Sequence, residues 1–111
     1  MTITAALASM TVSDLDRAES WYSSLFGRSP DSRPMAGLLE WYLDGDSGVQ
    51  VVEEPARAGR SGVTLAATDL DEVARTLTAA GIAHDGPEQV TASRILQLSD
   101  LDGNRIVLTG E

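Results

Sequence analysis

A short motif occurs twice in this chain, and the repeat constrains the fold more than any other feature. The segment SDLDRA at residues 13–18 returns 55 residues later as TDLDEV at residues 68–73. Each copy follows a strand-like stretch and opens a helix-like one, with a Ser/Thr-Asp N-cap and acidic residues at the positive end of the helix dipole. The repeat predicts two copies of one unit. A length of 111 residues suits a single domain, with modules at about 1–55 and 62–111.

The residues between the two motifs predict the order β-α-β-β-β in each module. The first module is predicted to contain a strand over 3–12, a helix closed by Gly27, a loop with Pro30 and Pro34, and a hairpin of 37–43 and 49–53. Residues 55–62 are predicted to be a linker. The second module is predicted to contain a strand over 63–67, a helix ended by Gly81, an irregular or short-strand stretch over 82–90, and strands over 93–98 and 105–109 joined by the turn DLDGN.

Charge and hydropathy exclude several classes of partner. The formal net charge of −9 argues against nucleic acid, whose phosphates require a basic surface, and suits a cationic small ligand. No apolar run approaches the roughly 18 residues that a membrane span needs. Residues 1–4 lack the basic start and long apolar stretch of a signal peptide, which favours a cytoplasmic location.

Missing residue types exclude several reactions. The chain has no Cys and no Lys, which removes thiolate chemistry, sulfur-ligated metals and Schiff-base catalysis. A single histidine, His84, cannot form a histidine-rich metal site. His84 is either an acid–base residue beside Asp85 or an exposed loop histidine. Carboxylates, tyrosines and His84 are the groups left for proton transfer.

The strand–(S/T)DLD–helix opening, the Gly-terminated helix and the ending DLDGNRIVL resemble the vicinal oxygen chelate superfamily, which includes glyoxalases, bleomycin-resistance proteins and extradiol dioxygenases. The resemblance covers essentially the whole chain. It implies an α+β fold in which two βαβββ modules form paired curved sheets around a cavity, commonly completed by a homodimer. It does not imply one reaction, because this fold hosts many.

The resemblance also implies where a metal would be bound. Enzymes of this superfamily typically hold a divalent ion with one ligand on each of four strands. The corresponding positions in this chain are Leu7, Gln50, Gly62 and Val107. Leu, Gly and Val have no side-chain donor, and the Gln amide is a weak neutral ligand. The sequence therefore predicts neither a metal nor another cofactor.

The predicted ligand-binding residues follow from the same alignment and from strand alternation. They are Leu7, Trp41, Tyr42, Gln50, Val52, Arg105 and Val107. Tyr42 shares a face with Gln50 and Glu40 if the hairpin is in register, and its ring would stack on a planar or cationic ligand; Trp41 is the alternative. Arg105 either binds a carboxylate or phosphate or forms an ion pair with Asp100 or Asp102.

The leading functional hypothesis is a metal-free small-molecule-binding protein of the glyoxalase/bleomycin-resistance type that sequesters a planar or cationic compound. Sequestration requires only a shaped cavity, aromatic groups and complementary charge. The alternative is a metal-independent isomerase or lyase that uses carboxylate, Tyr42 or His84 acid–base groups. An interaction or regulatory module that works as a dimer is a third possibility.

Overall fold

The computed structural model of the protein describes residues 2–110. Met1, part of the segment compared with signal peptides, and Glu111, the last residue of the second module, lie outside the described residues. The first module contains β1 (Leu7–Val12), α1 (Leu15–Phe26), β2 (Ser32–Met35), β3 (Leu38–Tyr42) and β4 (Gly48–Glu53). A short 3₁₀ turn, Pro55–Arg57, precedes the second module. That module contains β5 (Gly62–Ala67), α2 (Leu70–Ala79), β6 (Glu88–Val90), β7 (Ser93–Ser99) and β8 (Arg105–Gly110).

The strands form two four-stranded sheets with the same topology. The strand orders are β1-β4-β3-β2 and β5-β8-β7-β6, and in each sheet the first pair is parallel and the others are antiparallel. The registers also correspond, because Leu7 lies opposite Gly48 and Gly62 lies opposite Arg105. The predicted α+β fold with two βαβββ modules is confirmed. Within residues 2–110, no helix has the length and apolar character needed to cross a membrane.

Both helices begin where the repeated motif predicts. Asp14 and Asp69 are the N-caps, and each side chain accepts a hydrogen bond from the backbone N–H three residues later. Gly27 follows α1 in the left-handed conformation, with φ of 73°, and its N–H bonds to the Ser23 carbonyl. Glycine is favoured there because a Cβ would strain this backbone.

Two strands differ from their predicted bounds. β1 begins at Leu7 rather than at residue 3, and its ladder starts where the Gly48 N–H donates to the Ala6 carbonyl. β2 occupies the stretch predicted as a loop. Pro34 lacks an N–H, which is tolerated because β2 is an edge strand, and the pairing register shifts between Ser32 and Met35.

Strand alternation separates a buried side of the first sheet from an open one. The buried side packs against α1 and consists of Met10, Val12, Leu39, Trp41, Val49 and Val51. The Trp41 side chain is completely buried, with ring centroids 6.0 Å from Tyr22 and 5.5 Å from Phe26, and its Nε1 donates to the Arg28 carbonyl. Trp41 is therefore a core residue, and its prediction as a ligand-binding residue is wrong, because β3 turns the odd-numbered side chains toward the helix.

The two modules meet at the buried carboxylate of Asp100. Its oxygens accept hydrogen bonds from the Tyr22 hydroxyl at 2.6 Å, the Asn104 amide at 2.7 Å, and the backbone N–H groups of Asp102 and Asn104 at 2.9 Å. Tyr22 belongs to α1 and Asp100 to the turn between β7 and β8. Burial, together with the hydrogen bond to Asp100, raises the pKa of Tyr22 far above its usual range.

Neighbouring polar contacts extend this junction. The Asn104 amide also donates to the Thr11 carbonyl at 2.8 Å, and its oxygen accepts from the Ser61 N–H at 2.8 Å. Asp102 binds both the hydroxyl and the backbone N–H of Ser13. The end of β1, the start of β5 and the last turn are therefore held together by side chains from both modules.

We expect Tyr22→Phe to lower the free energy of unfolding by about 1–3 kcal/mol, because a buried carboxylate loses one of its donors. Chemical denaturation measures the loss. Tyr42→Phe is the matched control, since it removes an equivalent hydroxyl from an exposed tyrosine. A Tyr22→Phe variant as stable as Tyr42→Phe would contradict the role given to this hydrogen bond.

The raised pKa of Tyr22 also predicts that the folded protein loses stability at alkaline pH. Its pKa is higher in the folded protein than the value of about 10 in the unfolded chain, so only the unfolded state releases the proton as the pH rises above about 10. The stability advantage of the parent protein over Tyr22→Phe should shrink by about 1.4 kcal/mol per pH unit above that point. Denaturation of both proteins between about pH 9 and 11 tests this. A pH-independent difference would contradict it.

Candidate functional site

The side of the first sheet that faces away from α1 is the first candidate site, and we call it the first face. It consists of Leu7, Ser9, Thr11, Leu38, Glu40, Tyr42, Gln50 and Val52. The register places Ser9, Gln50 and Glu40 side by side across β1, β4 and β3. This register agrees with the prediction that Tyr42, Glu40 and Gln50 share a face.

Hydrogen bonds orient the polar groups of the first face. The Tyr42 hydroxyl donates to Glu40 Oε1 at 2.7 Å, and the Gln50 amide nitrogen donates to the Ser9 hydroxyl. The Glu40 carboxylate and the Gln50 carbonyl oxygen thus remain available as acceptors. A face that offers acceptors beside an aromatic ring suits a ligand that carries hydrogen-bond donors or a positive charge.

The Tyr42 ring lies beside Gly48, its neighbour on β4. A Cβ at Gly48 would be 3.4 Å from Tyr42 Cδ1 and 2.5 Å from the Trp41 carbonyl oxygen. Leu7 is the partner of Gly48 on β1, so the three residues form one row. The Tyr42 residue is 43% exposed, which leaves its ring accessible to a flat molecule.

A crevice lined by both polar and apolar side chains adjoins this row on the same face. It has a volume of about 400 Å³ and includes Met35, Leu38, Gln50 and Val52. Met35 forms part of the crevice wall and is 67% exposed to solvent. The volume lies within the range of small-molecule pockets.

The corresponding side of the second sheet, the second face, carries different groups. It consists of Gly62, Thr64, Ala66, Ile95, Gln97, Ser99, Arg105, Val107 and Thr109. The Arg105 guanidinium donates to Gln97 Oε1 at 2.6 Å and forms no ion pair with Asp100 or Asp102, which are the acceptors for Tyr22 and Ser13. The alternative prediction of an Arg105 ion pair with one of these aspartates is therefore wrong.

A single chain does not gather the predicted ligand-binding residues into one cavity. Tyr42 lines a cleft of about 810 Å³ between β1, β5 and the β3–β4 turn. Gln50 and Val52 line the crevice of about 400 Å³, and Arg105 lines another of about 550 Å³. Leu7 lies on the first face and Val107 on the second, both partly buried.

His84 lies partly buried against the C-terminal half of α2 and is neither an exposed residue nor part of a pair with Asp85. The Gly86 N–H donates to Nδ1 at 3.0 Å, which assigns the proton of a neutral ring to Nε2. Nε2 lies 2.8 Å from the Thr78 hydroxyl and 3.2 Å from the Ala74 carbonyl. Both ring nitrogens are thus occupied by structural contacts.

The residues at the positions implied for a metal do not fit one. Leu7 and Val107 offer no donor atoms, Gly62 has no side chain, and Gln50 offers a single neutral amide oxygen, which is a weak ligand by itself. Within the part of the chain that the structure describes, no three His, Asp or Glu side chains are close enough to hold an ion together. The donor set of this site therefore does not support metal chemistry of the superfamily type.

Solved structures with the same architecture include antibiotic-binding proteins. A glyoxalase/bleomycin resistance protein from Catenulispora acidiphila is 29% identical, with a TM-score of 0.87 over 95% of this chain and 96% of the other. The antibiotic-binding protein TnmS3 from Streptomyces sp. CB03234 is 28% identical, with a TM-score of 0.84 over 99% and 98%. A bleomycin-binding protein complexed with bleomycin is 23% identical, with a TM-score of 0.76 over 100% and 98%.

Neither a family model nor a curated protein matches the chain. The likeness in structure nevertheless spans essentially the full length of both molecules in each comparison. The chain has the vicinal oxygen chelate fold, as its repeated motif and terminal turn predict.

Proposed function

We propose that the protein binds a planar organic cation on its first face without using a metal ion. The observation that carries the proposal is the row in which the exposed Tyr42 ring lies over Gly48 and holds the Glu40 carboxylate through its hydroxyl. An aromatic ring attracts a cation through its negative face, and a neighbouring carboxylate adds charge complementarity. The net charge of −9 raises the local concentration of such a ligand.

Three further features support binding rather than metal-dependent chemistry. The first face presents mostly acceptor oxygens, the four implied metal positions lack a competent donor set, and both ring nitrogens of His84 are hydrogen-bonded within the chain. Relatives of known structure include proteins described as antibiotic-binding and bleomycin-binding. The proposed role is therefore reversible binding or sequestration of a small molecule.

We further propose that the binding protein is a homodimer in which all the predicted residues except Trp41 contribute to the ligand site. The first face would supply Leu7, Tyr42, Gln50 and Val52, and the second face would supply Arg105 and Val107. In one chain both faces are open to solvent, since Tyr42 and Met35 are exposed in the first sheet and Ser99 and Arg105 are exposed on the second face. A stable interface buries about 800 Å² on each partner, and covering these faces would contribute to that area.

Binding is tested by titrating the protein with ethidium and with metal-free bleomycin, following heat by calorimetry. We expect Tyr42→Leu to weaken binding by about two- to ten-fold, because the ring contributes about 0.5–1.5 kcal/mol in such contacts. Glu40→Gln should weaken the binding of a cationic ligand by about two- to five-fold, an effect typical of an exposed charge pair.

Glu72→Gln is the matched control, since it removes an equal charge from an exposed position on α2. Chelator added to the titration should leave the affinity unchanged. If Glu40→Gln and Glu72→Gln lose the same affinity for the ligand, the effect of Glu40 comes from net charge alone and not from a local contact. Absence of binding by both probes, or binding that requires a divalent ion, would count against the proposed function.

Sedimentation velocity tests the dimer. We expect a species of twice the 11.7 kDa monomer mass at micromolar protein concentration. Met35→Glu should shift it toward monomer, because a carboxylate would be buried at the covered face. Leu101→Glu is the control, since Leu101 is a comparably exposed apolar residue in the β7–β8 turn. A monomer at all concentrations, or equal sensitivity to both variants, would contradict this assembly.

A further inference from the structure

Arg105 is held by a neutral side chain, whereas half of the eight arginines are held by carboxylates. Four arginines form ion pairs within 4.0 Å: Arg28, Arg33, Arg57 and Arg94. The chain carries 17 Asp and Glu residues, yet among residues 2–110 none pairs with Arg105 within that distance. Its guanidinium is bonded instead to the neutral Gln97 side chain. The positive charge of Arg105 is therefore not neutralised within the described chain.

A line of three side chains across β6, β7 and β8 orients this guanidinium. The Gln97 amide nitrogen donates to Glu88 Oε1 at 2.9 Å, and the Gln97 oxygen accepts from Arg105 Nη2 at 2.6 Å. Glu88 thereby determines which end of the Gln97 amide faces Arg105. A guanidinium has five N–H donors, and within residues 2–110 Gln97 is the acceptor for this one. Several donors remain for a ligand.

Small neighbours keep the guanidinium accessible. Arg105 lies between Gly62 on β5 and Ser99 on β7. This row is equivalent to the row of Leu7, Gly48 and Tyr42 in the first sheet. A Cβ at Gly62 would have only the Arg105 carbonyl within 4 Å, so the space beside it is open. Arg105 and Ser99 line a crevice of about 550 Å³ that has room for an organic molecule.

We propose that Arg105 is the anchor of a binding site for the carboxylate of a small organic acid on the second face. A planar guanidinium binds a carboxylate through two parallel hydrogen bonds, and the bond to Gln97 limits the rotation of this one. Asp85 lines the same crevice. Its negative charge opposes a second charge on the ligand, which favours a monocarboxylate over a phosphate dianion.

The carboxylate site depends on the proposed function only in that the second face contacts a ligand. Within one chain Arg105 and Tyr42 line separate crevices, although the proposed dimer would bring both residues to one ligand site. Benzoate binding at Arg105 is measured without the cation proposed for the first face, so the two proposals are tested with different probes. Failure of one site therefore leaves the other to be judged on its own measurement.

Benzoate and its neutral analogue benzamide test the site in the full-length protein by ¹H–¹⁵N NMR titration at low salt. We expect benzoate to shift the backbone amides of Ser99, Gly103 and Arg105 with millimolar affinity, and benzamide to leave them unchanged. Arg105→Gln should weaken benzoate binding about ten-fold or more, the loss expected for a hydrogen-bonded charge. Gln97→Met keeps the charge but removes the orienting acceptor, and should weaken binding about three-fold.

Arg60→Gln is the charge-matched control, because Arg60 is exposed in the segment between the modules. It should bind benzoate as the parent does. The site is refuted if Arg105→Gln and Arg60→Gln behave alike, if benzamide produces the same shifts, or if inorganic phosphate binds more tightly than benzoate. Since Arg105 is exposed, its variants should fold, and their amide spectra verify this directly.

Discussion

The buried carboxylate of Asp100 is the contact on which the arrangement of the two modules depends. A buried charge is costly unless donors surround it, and here the donors come from α1 of the first module and from the last turn of the second. The next residues place Asn104 against Thr11 and Ser61, and β8 begins directly afterwards. The position of Arg105 on the second face therefore depends on the hydrogen bonds that hold the turn of Asp100 and Asn104 against the first module.

Strand alternation then decides which groups each face presents. Trp41 and Tyr42 are adjacent in the chain, yet one completes the core with Tyr22 and Phe26 while the other lies exposed on the first face. The duplicated modules differ in these outward positions. Where the first sheet has Leu7, Gly48 and Tyr42, the second has Gly62, Arg105 and Ser99. One fold thus displays an acidic, aromatic face and a face with a free cation.

Much of the fold could be predicted because its signals are local. The repeated motif located both helix starts at Asp14 and Asp69, and Gly27 marked the end of α1. β2 was missed because a four-residue edge strand containing Pro34 has the composition of a loop. The site was predicted less well. Tyr42 and Gln50 fall on the expected face, but an ion pair between Arg105 and a nearby aspartate does not form, since those carboxylates are already satisfied by Tyr22, Asn104 and Ser13.

The sequence by itself determined the duplication, the helix caps, the β-α-β-β-β order of elements along the chain and the lack of metal-binding side chains at the positions implied for a metal. These are properties of residue type and short spacing, which elementary stereochemistry converts directly into structure. Only the tertiary structure decided that Asp100 binds Tyr22, that His84 contacts Ala74 on α2 and that Glu88 and Gln97 hold Arg105. Each hydrogen-bonding group in these contacts has several chemically equivalent partners in the chain. The choice among them depends on how packing of the helices and sheets brings particular side chains within reach.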